Sequence, residues 1–434
     1  MAETRPFRGL HYAETDLSAL VCPPFDVISP AEQQRLYERS PFNVVRLECG
    51  ETSAEDTSYG NRYTRAAATL QDWLQRHILV QDDAPALFVD DQEFEHEGRR
   101  LTRRSLFARV RLHDWDEGPI RPHERTLDRP KEDRLQLLQA TRLNVSPILS
   151  LYRDGGGRLK EAVELGWRGG RLLAIAAVDG ERHELRRLGD GASLEAITGL
   201  AADRTFYVID GHHRYETALA YRNERRSHAS AWTGEEPENF VLMALIARED
   251  PGLVVLPTHR LLRNVILPGD FTDRLGRDFV VEDVTSEIGD GSWTSMRDRL
   301  SKAAKDATAF GMAMRRQRLI LRVRNDEAIA RSMLPDSPAS WRALDAAVLE
   351  AVVFRGILGI NQQEASADRS LAFTHDGEEA LQLVDSGECE AAFLLSPAPL
   401  ERVLSMADAG ERMPQKSTYF YPKLPAGLVM NRLV

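Results

Sequence analysis

Residues 205–214 read TFYVIDGHHR, an apolar run followed by a crowded polar turn. The run from Thr205 to Ile209 is rich in β-branched and aromatic residues, which predicts a short strand. Apolar residues after Arg214 recur at helical spacing, which predicts a helix. The first amides of a helix have no partners within it, and together with the positive end of the helix dipole they favour phosphate. The turn is therefore a candidate phosphate site.

This turn has two interpretations. In the first, Asp210 only caps a helix and the basic residues are solvated. In the second, Gly211 lets the backbone approach a ligand, while His212, His213 and Arg214 surround a phosphate and Asp210 reaches a metal ion. Two adjacent histidines followed by an arginine favour the second interpretation, because few structural turns need so much polar chemistry.

The composition is typical of a globular protein with two or three domains. The chain has 434 residues, of which 42% are hydrophobic and 28% charged. A net charge of −11 argues against a surface built to hold nucleic acid. Cys22, Cys49 and Cys389 form no Cys-x-x-Cys pair, which argues against a disulfide scaffold or thiolate zinc site and fits the reducing cytoplasm. No apolar run approaches the roughly 20 residues that span a bilayer, and no signal pattern is present. We expect a cytoplasmic protein without a membrane segment.

Strand and helix patterns alternate along the chain, which predicts an α/β fold with mixed sheets. We expect an N-terminal α/β extension over 1–85, an α/β core over 86–267 and a separate C-terminal α/β domain over 268–434. The second boundary lies where Pro268-Gly269-Asp270 opens a polar stretch. Strands are predicted at 148–152 and 240–247, a hairpin over 166–188 that turns near Asp179-Gly180, and a long helix over 341–358.

Three further polar clusters are candidates for chemistry. In RPHERT (121–126), Glu124 lies beside a histidine in a proline-bounded loop, which suits a general base. In KST (416–418), a lysine next to two hydroxyls suits an anion, although the upstream glycines of a Walker loop are missing. PTHR (257–260) carries a histidine at a turn. The alternatives are an ordinary surface loop, an ordered C-terminal loop and a structural histidine.

Several of these segments together resemble known families. Pro122-His123-Glu124, SPIL (146–149) and YVIDGHHR (207–214) occur in the order typical of the free L-serine kinase branch of the ParB/sulfiredoxin superfamily. Over its whole length the chain resembles the domain of unknown function 1015 family, through PPFDVIS (23–29), PTHR (257–260) and KSTYFYPK (416–423).

The resemblance implies a ParB/sulfiredoxin-like nucleotide-binding core over 86–267, with an insertion at 155–202, and a C-terminal domain that closes the site. It implies phosphoryl transfer from ATP or ADP to the hydroxyl of free L-serine or a similar small alcohol. The implied roles are catalysis for Glu124, Asp210 and His212, phosphate binding for Gly211, His213 and Arg214, substrate binding for Lys416, Ser417 and Thr418, and Mg²⁺ ligation for Asp210.

A rival function is a nucleotide-binding regulatory protein of the same fold that transfers no phosphoryl group. A third is a scaffold that binds no nucleotide. The expected partners are a nucleotide and a small-molecule substrate, and neither nucleic acid nor a membrane. The sequence leaves the oligomeric state open.

Overall fold

A computed structural model describes residues 1–126, 128–288, 292–305, 307–324, 326–333, 337–361 and 370–434. The chain divides into two compact units. Unit 1 comprises Met1–Pro122, Thr126–Val254 and Pro422–Val434. Unit 2 comprises His123–Arg125 and Val255–Tyr421.

The strands of the described residues are β1 (Thr4–Arg5), β2 (Leu10–Tyr12), β3 (Leu79–Gln81), β4 (Leu87–His96), β5 (Arg99–Arg111), β6 (Ile120–Pro122), β7 (Leu143–Asn144), β8 (Ile148–Tyr152), β9 (Arg171–Val178), β10 (Glu181–Leu188), β11 (Phe206–Asp210), β12 (Phe240–Ala247), β13 (Val254–Leu256), β14 (His259–Leu262), β15 (Phe279–Asp283), β16 (Ala309–Met314), β17 (Gln317–Val323), β18 (Leu371–Thr374), β19 (Ala391–Leu394), β20 (Tyr419–Tyr421) and β21 (Asn431–Arg432).

The α-helices of the described residues are α1 (Pro30–Arg39), α2 (Val45–Glu48), α3 (Arg62–Gln75), α4 (Asp128–Thr141), α5 (Arg158–Gly169), α6 (Gly191–Ala202), α7 (His212–His228), α8 (Phe271–Asp278), α9 (Trp293–Ala303), α10 (Asp326–Ser332), α11 (Asp345–Val348), α12 (Gly377–Ser386) and α13 (Leu400–Asp408). Short 3₁₀ turns occupy Phe25–Val27, Pro237–Asn239 and Ala339–Ala343, and Leu349–Ile357 is a π-helix.

Unit 1 is built on a nine-stranded mixed sheet with the order β6-β11-β8-β12-β5-β4-β10-β9, to which β1 adds by pairing with β5. The pairs β6/β11 and β8/β12 are parallel, and the other pairs are antiparallel. All eight residues of β12 are buried, because it is an inner strand with both faces covered. Helices α5, α6 and α7 contribute Leu159, Ile197 and Tyr215 to the core on this sheet.

Two hairpins of this sheet turn through residues with positive φ. Glu97 and Gly98 join β4 to β5 with φ of 49° and 70°. Asp179 and Gly180 join β9 to β10 with φ of 52° and 82°. Positive φ at both central residues defines the turn whose twist matches that of the flanking strands, and glycine adopts it without steric cost. The hairpin turn expected at Asp179-Gly180 is thus present.

The N-terminal residues belong to unit 1 and do not form a separate extension. Thr4 pairs with Val110 of β5, and Ala2 lies in the same core as the helices of unit 1. The ring of Phe7 lies 5.1 Å from that of Phe88. The sequence predicts a boundary at residue 85, but the structure places residues 1–122 in one unit. The reason is that the N-terminal residues bury their apolar side chains against the same sheet.

Unit 2 is built on a six-stranded sheet with the order β15-β17-β16-β19-β14-β18, in which every pair is antiparallel. One face packs against α8 and the π-helix, and the other packs against α9 and α12. Because β14 is an inner strand of this sheet, unit 2 resumes at Val255 and not at residue 268 as the sequence predicts. Residues 422–434 return to unit 1, where β21 pairs with β7.

The prediction of an α/β fold with mixed sheets is confirmed. Strands β8 and β12 have the predicted bounds. Two local predictions are wrong. Residues 158–169 form α5, where the sequence predicts a hairpin from Gly166, and the predicted long helix at 341–358 is broken at Leu344, whose backbone is extended. No helix in the described ranges has the length and apolar character needed to cross a bilayer.

Candidate functional site

The turn that follows β11 has the geometry of a ligand-binding backbone. Gly211 has a φ of 89° and caps α7, which begins at His212. A Cβ atom at position 211 would lie 2.9 Å from Nε of Arg214 and 3.0 Å from its Cζ. Glycine is required here because the left-handed conformation is unfavourable for other residues and because the guanidinium packs directly against the backbone.

Asp210, the last residue of β11, forms ion pairs with two cationic side chains. Oδ2 of Asp210 accepts a hydrogen bond of 2.5 Å from Nη2 of Arg214, and Oδ1 forms an ion pair with Nζ of Lys423. All three side chains are largely buried, with 12–14% of their surface exposed. Burial alone would raise the pKa of Asp210, but the charges of Lys423 and Arg214 outweigh it and hold that pKa well below its usual range. Asp210 is therefore a carboxylate.

Buried polar side chains hold the backbone of Lys423 in place. Nη2 of Arg103 donates to the carbonyl of Pro422 over 2.7 Å, and Nε2 of Gln92 donates to the carbonyl of Lys423 over 3.2 Å. Arg103 and Gln92 also bond to each other, and both are fully buried. Burial lowers the pKa of Arg103 to about 10, so it remains charged at neutral pH. These contacts fix the segment that carries the Lys423 ammonium.

Arg214 connects the turn to a neighbouring cleft of unit 1. Its Nη1 donates to the carbonyl of Pro147, in the segment before β8. Its Nε is buried and has no hydrogen-bond partner. Arg214 also lines a cleft together with Ser146 and Thr217, and the space in it, with open solvent included, is about 430 Å³. His212 is buried at the first position of α7 and His213 is half-buried beside it.

The second group of predicted residues meets in unit 2. Met413 donates its backbone N–H to the carbonyl of His123 over 2.7 Å and accepts one from Arg125 over 3.2 Å. The Ser417 amide donates to Oε2 of Glu124 over 3.2 Å. Nε2 of the buried His123 lies 2.8 Å from Oγ1 of Thr418. The proposed base is thereby fixed against the Lys-Ser-Thr segment.

The predicted residues thus form two groups. Asp210, Gly211 and Arg214 are in contact in unit 1, whereas Glu124 contacts Ser417 in unit 2. Lys416 is exposed, with a φ of 57°. The roles assigned to these residues stay predictions.

Sequence reasoning missed Lys423, Arg103 and Gln92. Lys423 ends the KSTYFYPK segment (416–423), which was recognised only as a family signature. Its place in that segment is the one signal that pointed to it. Arg103 and Gln92 lie on neighbouring strands of a charged hairpin and gave no comparable signal.

The surroundings of Asp210 do not fit the predicted role of a Mg²⁺ ligand. Each of its carboxylate oxygens binds a cationic side chain. The described residues contain no cluster of three or more histidine, cysteine or carboxylate side chains that could hold a metal ion. A Mg²⁺ ion would have to displace Lys423 or Arg214 to reach this carboxylate. We therefore assign the neutralisation of a bound anion at this turn to the side chains of Lys423 and Arg214.

A family model described as "Protein of unknown function (DUF1015)" matches residues 4–347. The match spans most of the chain and includes Glu124 and the turn after β11, but not residues 416–423. The chain belongs to this family. No curated protein matches it.

Several solved structures have partial likeness to the chain. A free serine kinase in complex with AMP is 12% identical, covers 75% of this chain and 92% of its own, and has a TM-score of 0.36. A conserved hypothetical protein from Pyrococcus furiosus is 14% identical, with coverage of 75% and 95% and a TM-score of 0.36. C-terminally truncated SbnI from Staphylococcus aureus is 9% identical, with coverage of 74% and 85% and a TM-score of 0.35. At these TM-scores the likeness assigns no activity to this chain.

Proposed function

We propose that this protein is a phosphotransferase that moves a phosphoryl group from ATP or ADP to the hydroxyl of a small alcohol, with free L-serine as the first acceptor to test. The observation that carries the proposal is the pair of cations held on Asp210 at the N-terminus of α7. Phosphoryl transfer depends mostly on positioning and on neutralising charge that spreads over the phosphoryl oxygens. A turn with fixed cations supports both.

The charge of this turn favours an anion. Asp210 contributes one negative charge, and Lys423 and Arg214 contribute two positive charges, which leaves one positive charge in excess. The N-terminus of α7 adds a partial positive charge and the amides of its first turn. Asp210 serves to hold the two cations, because without it they would repel each other in a largely buried place.

Glu124 is the proposed general base. In the proposed step the acceptor oxygen forms a bond to the terminal phosphorus, and the bond from that phosphorus to the bridging oxygen of the nucleotide breaks. The acceptor proton passes to Glu124, and the nucleotide leaves with one phosphate fewer. The Ser417 amide orients the Glu124 carboxylate, and His212 and His213 form the start of α7 beside the phosphate turn.

The test is incubation of the purified protein with ATP or ADP, Mg²⁺ and L-serine, followed by mass spectrometry for O-phosphoserine. Glu124→Gln should keep nucleotide binding and lower turnover by about 100-fold or more. Glu132→Gln, which changes an exposed glutamate of α4, is the matched control and should leave turnover unchanged.

The outcomes separate the proposal from its rivals. Absence of product with either donor, across several small alcohols, would sink the kinase proposal. Binding of ATP, ADP or CTP in isothermal titration without any product would then favour a nucleotide-binding regulatory protein. Binding of none of the three would favour a scaffold.

A further inference from the structure

Unit 2 contains a pocket that includes Ser417 and is otherwise lined by residues to which the proposed phosphoryl transfer assigns no role. The space between its walls, with the solvent at its mouth included, is about 390 Å³. It lies beside β14, and its walls include the segments 344–346 and 395–399. Six of its thirteen lining residues are polar: Thr258, Arg260, Asp345, Ser396, Arg402 and Ser417.

Arg260 is the unusual residue of this pocket. It lies on an inner strand and is only 2% exposed. Among the described residues, the one hydrogen bond of its side chain runs from Nη1 to the carbonyl of Thr258, and its Cζ lies 5.7 Å from the centre of the Phe373 ring. It makes no ion pair within the described part of the chain. The carboxylates of Glu350, Glu124 and Asp345 stabilise its charge from beyond ion-pair distance, so most of its N–H groups stay available to a ligand.

The hydroxyl of Thr258, in the same pocket, has no hydrogen-bond partner. Its Oγ1 is buried and makes no hydrogen bond within the described residues, and the residue is 6% exposed. A hydroxyl in such a place usually has a partner, because its desolvation is otherwise uncompensated. Thr258 and Arg260 therefore bring a hydroxyl without a hydrogen-bond partner and a guanidinium that uses one of its two Nη groups to the lining of one small cavity.

We propose that this pocket binds a small carboxylic acid, with the carboxylate on the Arg260 guanidinium and the Thr258 hydroxyl. A guanidinium matches a carboxylate in a planar, two-point geometry. The carboxylates of Asp345, Glu350 and Glu124 all act electrostatically on Arg260. They repel a dianion such as phosphate more strongly than a ligand with a single negative charge. The inference concerns binding alone and does not rest on phosphoryl transfer.

Three compounds of similar size, titrated against the full chain without nucleotide, show which functional groups of a ligand the pocket requires. L-Serine carries a carboxylate, an ammonium and a hydroxyl, glycolate lacks the ammonium, and ethanolamine lacks the carboxylate. Binding of glycolate or L-serine, with at least about tenfold weaker binding of ethanolamine, is the expected result. A preference between the two acids tells whether the ligand carries an ammonium group. Tighter binding of ethanolamine or inorganic phosphate than of both acids would overturn the inference.

Variants locate the carboxylate. Arg260→Met should weaken binding of the acid by at least about tenfold. Thr258→Val, which removes only the hydroxyl, should weaken binding about threefold to tenfold. Thr258→Val still tests the site if Arg260→Met does not fold.

Arg318→Met is the matched control. Arg318 is a buried arginine of the same sheet, but it pairs with Asp385 over 2.7 Å and lies outside the pocket. Its variant should lose stability and keep its affinity for the acid. Unchanged affinity in both Arg260→Met and Thr258→Val would exclude the proposed site.

Discussion

Lys423 and Asp210 form a largely buried ion pair although 213 residues separate them in the chain. The contact exists because residues 422–434 return to unit 1 after the chain has built unit 2. Arg103 and Gln92 hold the Pro422 and Lys423 carbonyls, so the ammonium is placed by buried hydrogen bonds as well as by charge. Lys423 thus completes the polar turn that follows β11.

Lys423→Met should lower nucleotide affinity by about tenfold or more, because it removes one of the two cations that favour phosphate at the turn. It should also lower the free energy of unfolding by roughly 1–3 kcal/mol, which is less than for an isolated buried pair because Arg214 still neutralises Asp210. Isothermal titration with ADP and urea unfolding measure the two effects.

Lys160→Met is the matched control for charge. Lys160 lies in unit 1 and makes no ion pair within the described residues. Its variant loses the same charge and should bind ADP with nearly unchanged affinity. Equal losses in both variants would mean that Lys423 acts only through the net charge of the protein.

A double-mutant cycle tests whether Asp210 holds the two cations. Asp210→Asn alone should be more destabilising than Lys423→Met, because it leaves Lys423 and Arg214 close together without their counter-ion. The double variant should be more stable than the sum of the single effects predicts, with a coupling energy of roughly 1–3 kcal/mol. Additive effects would show that the two side chains do not interact in solution.

Local sequence patterns predicted much of the fold but not the ion pair between Lys423 and Asp210. Strand β12 has eight consecutive apolar residues, so its buried position follows from the sequence. Strand β14 begins with His259 and Arg260 and is held by pairing with β18 and β19, more than 100 residues later in the chain, so no local pattern reveals it. The polar turn after β11 was predictable because strand, glycine and helix are contiguous. Lys423 was not, because its partner is fixed only by the tertiary fold.

Gly211→Ala should impair the phosphate turn more than it impairs stability. The substitution strains a backbone at φ 89°, at a cost of roughly 1–2 kcal/mol, and its Cβ displaces the Arg214 guanidinium from Asp210. We expect nucleotide affinity to fall by about tenfold or more.

Gly157→Ala separates backbone strain from the loss of the Arg214 contact. Gly157 caps α5 with a φ of 68°, and a Cβ there would meet nothing within 4 Å. This variant should lose comparable stability and keep nucleotide affinity. If both variants bind ADP equally well, Arg214 does not contribute to the nucleotide site.

The stability of unit 1 should fall as the pH rises from 6.5 towards 9, because a buried ion pair joins the neighbouring strands β4 and β10. Nδ1 of His183 lies 2.8 Å from Oδ2 of Asp90, and both residues are fully buried. Burial alone would lower the pKa of His183, but Asp90 and Glu181 outweigh it and raise that pKa to about 9 from the ordinary value of 6.5. Since the folded state holds the proton more tightly, this stabilisation is full below pH 6.5 and is lost as the pH passes 9.

The size of the effect is on the order of 3 kcal/mol, because the pKa of His183 rises from 6.5 to about 9. Thermal unfolding measured across this pH range should show the fall in the natural sequence and a flatter profile in His183→Gln. His228→Gln, which changes an exposed histidine of α7, should retain the natural profile. A profile that is equally steep in His183→Gln would mean that another group titrates, and the buried pair would then be neutral or absent in solution.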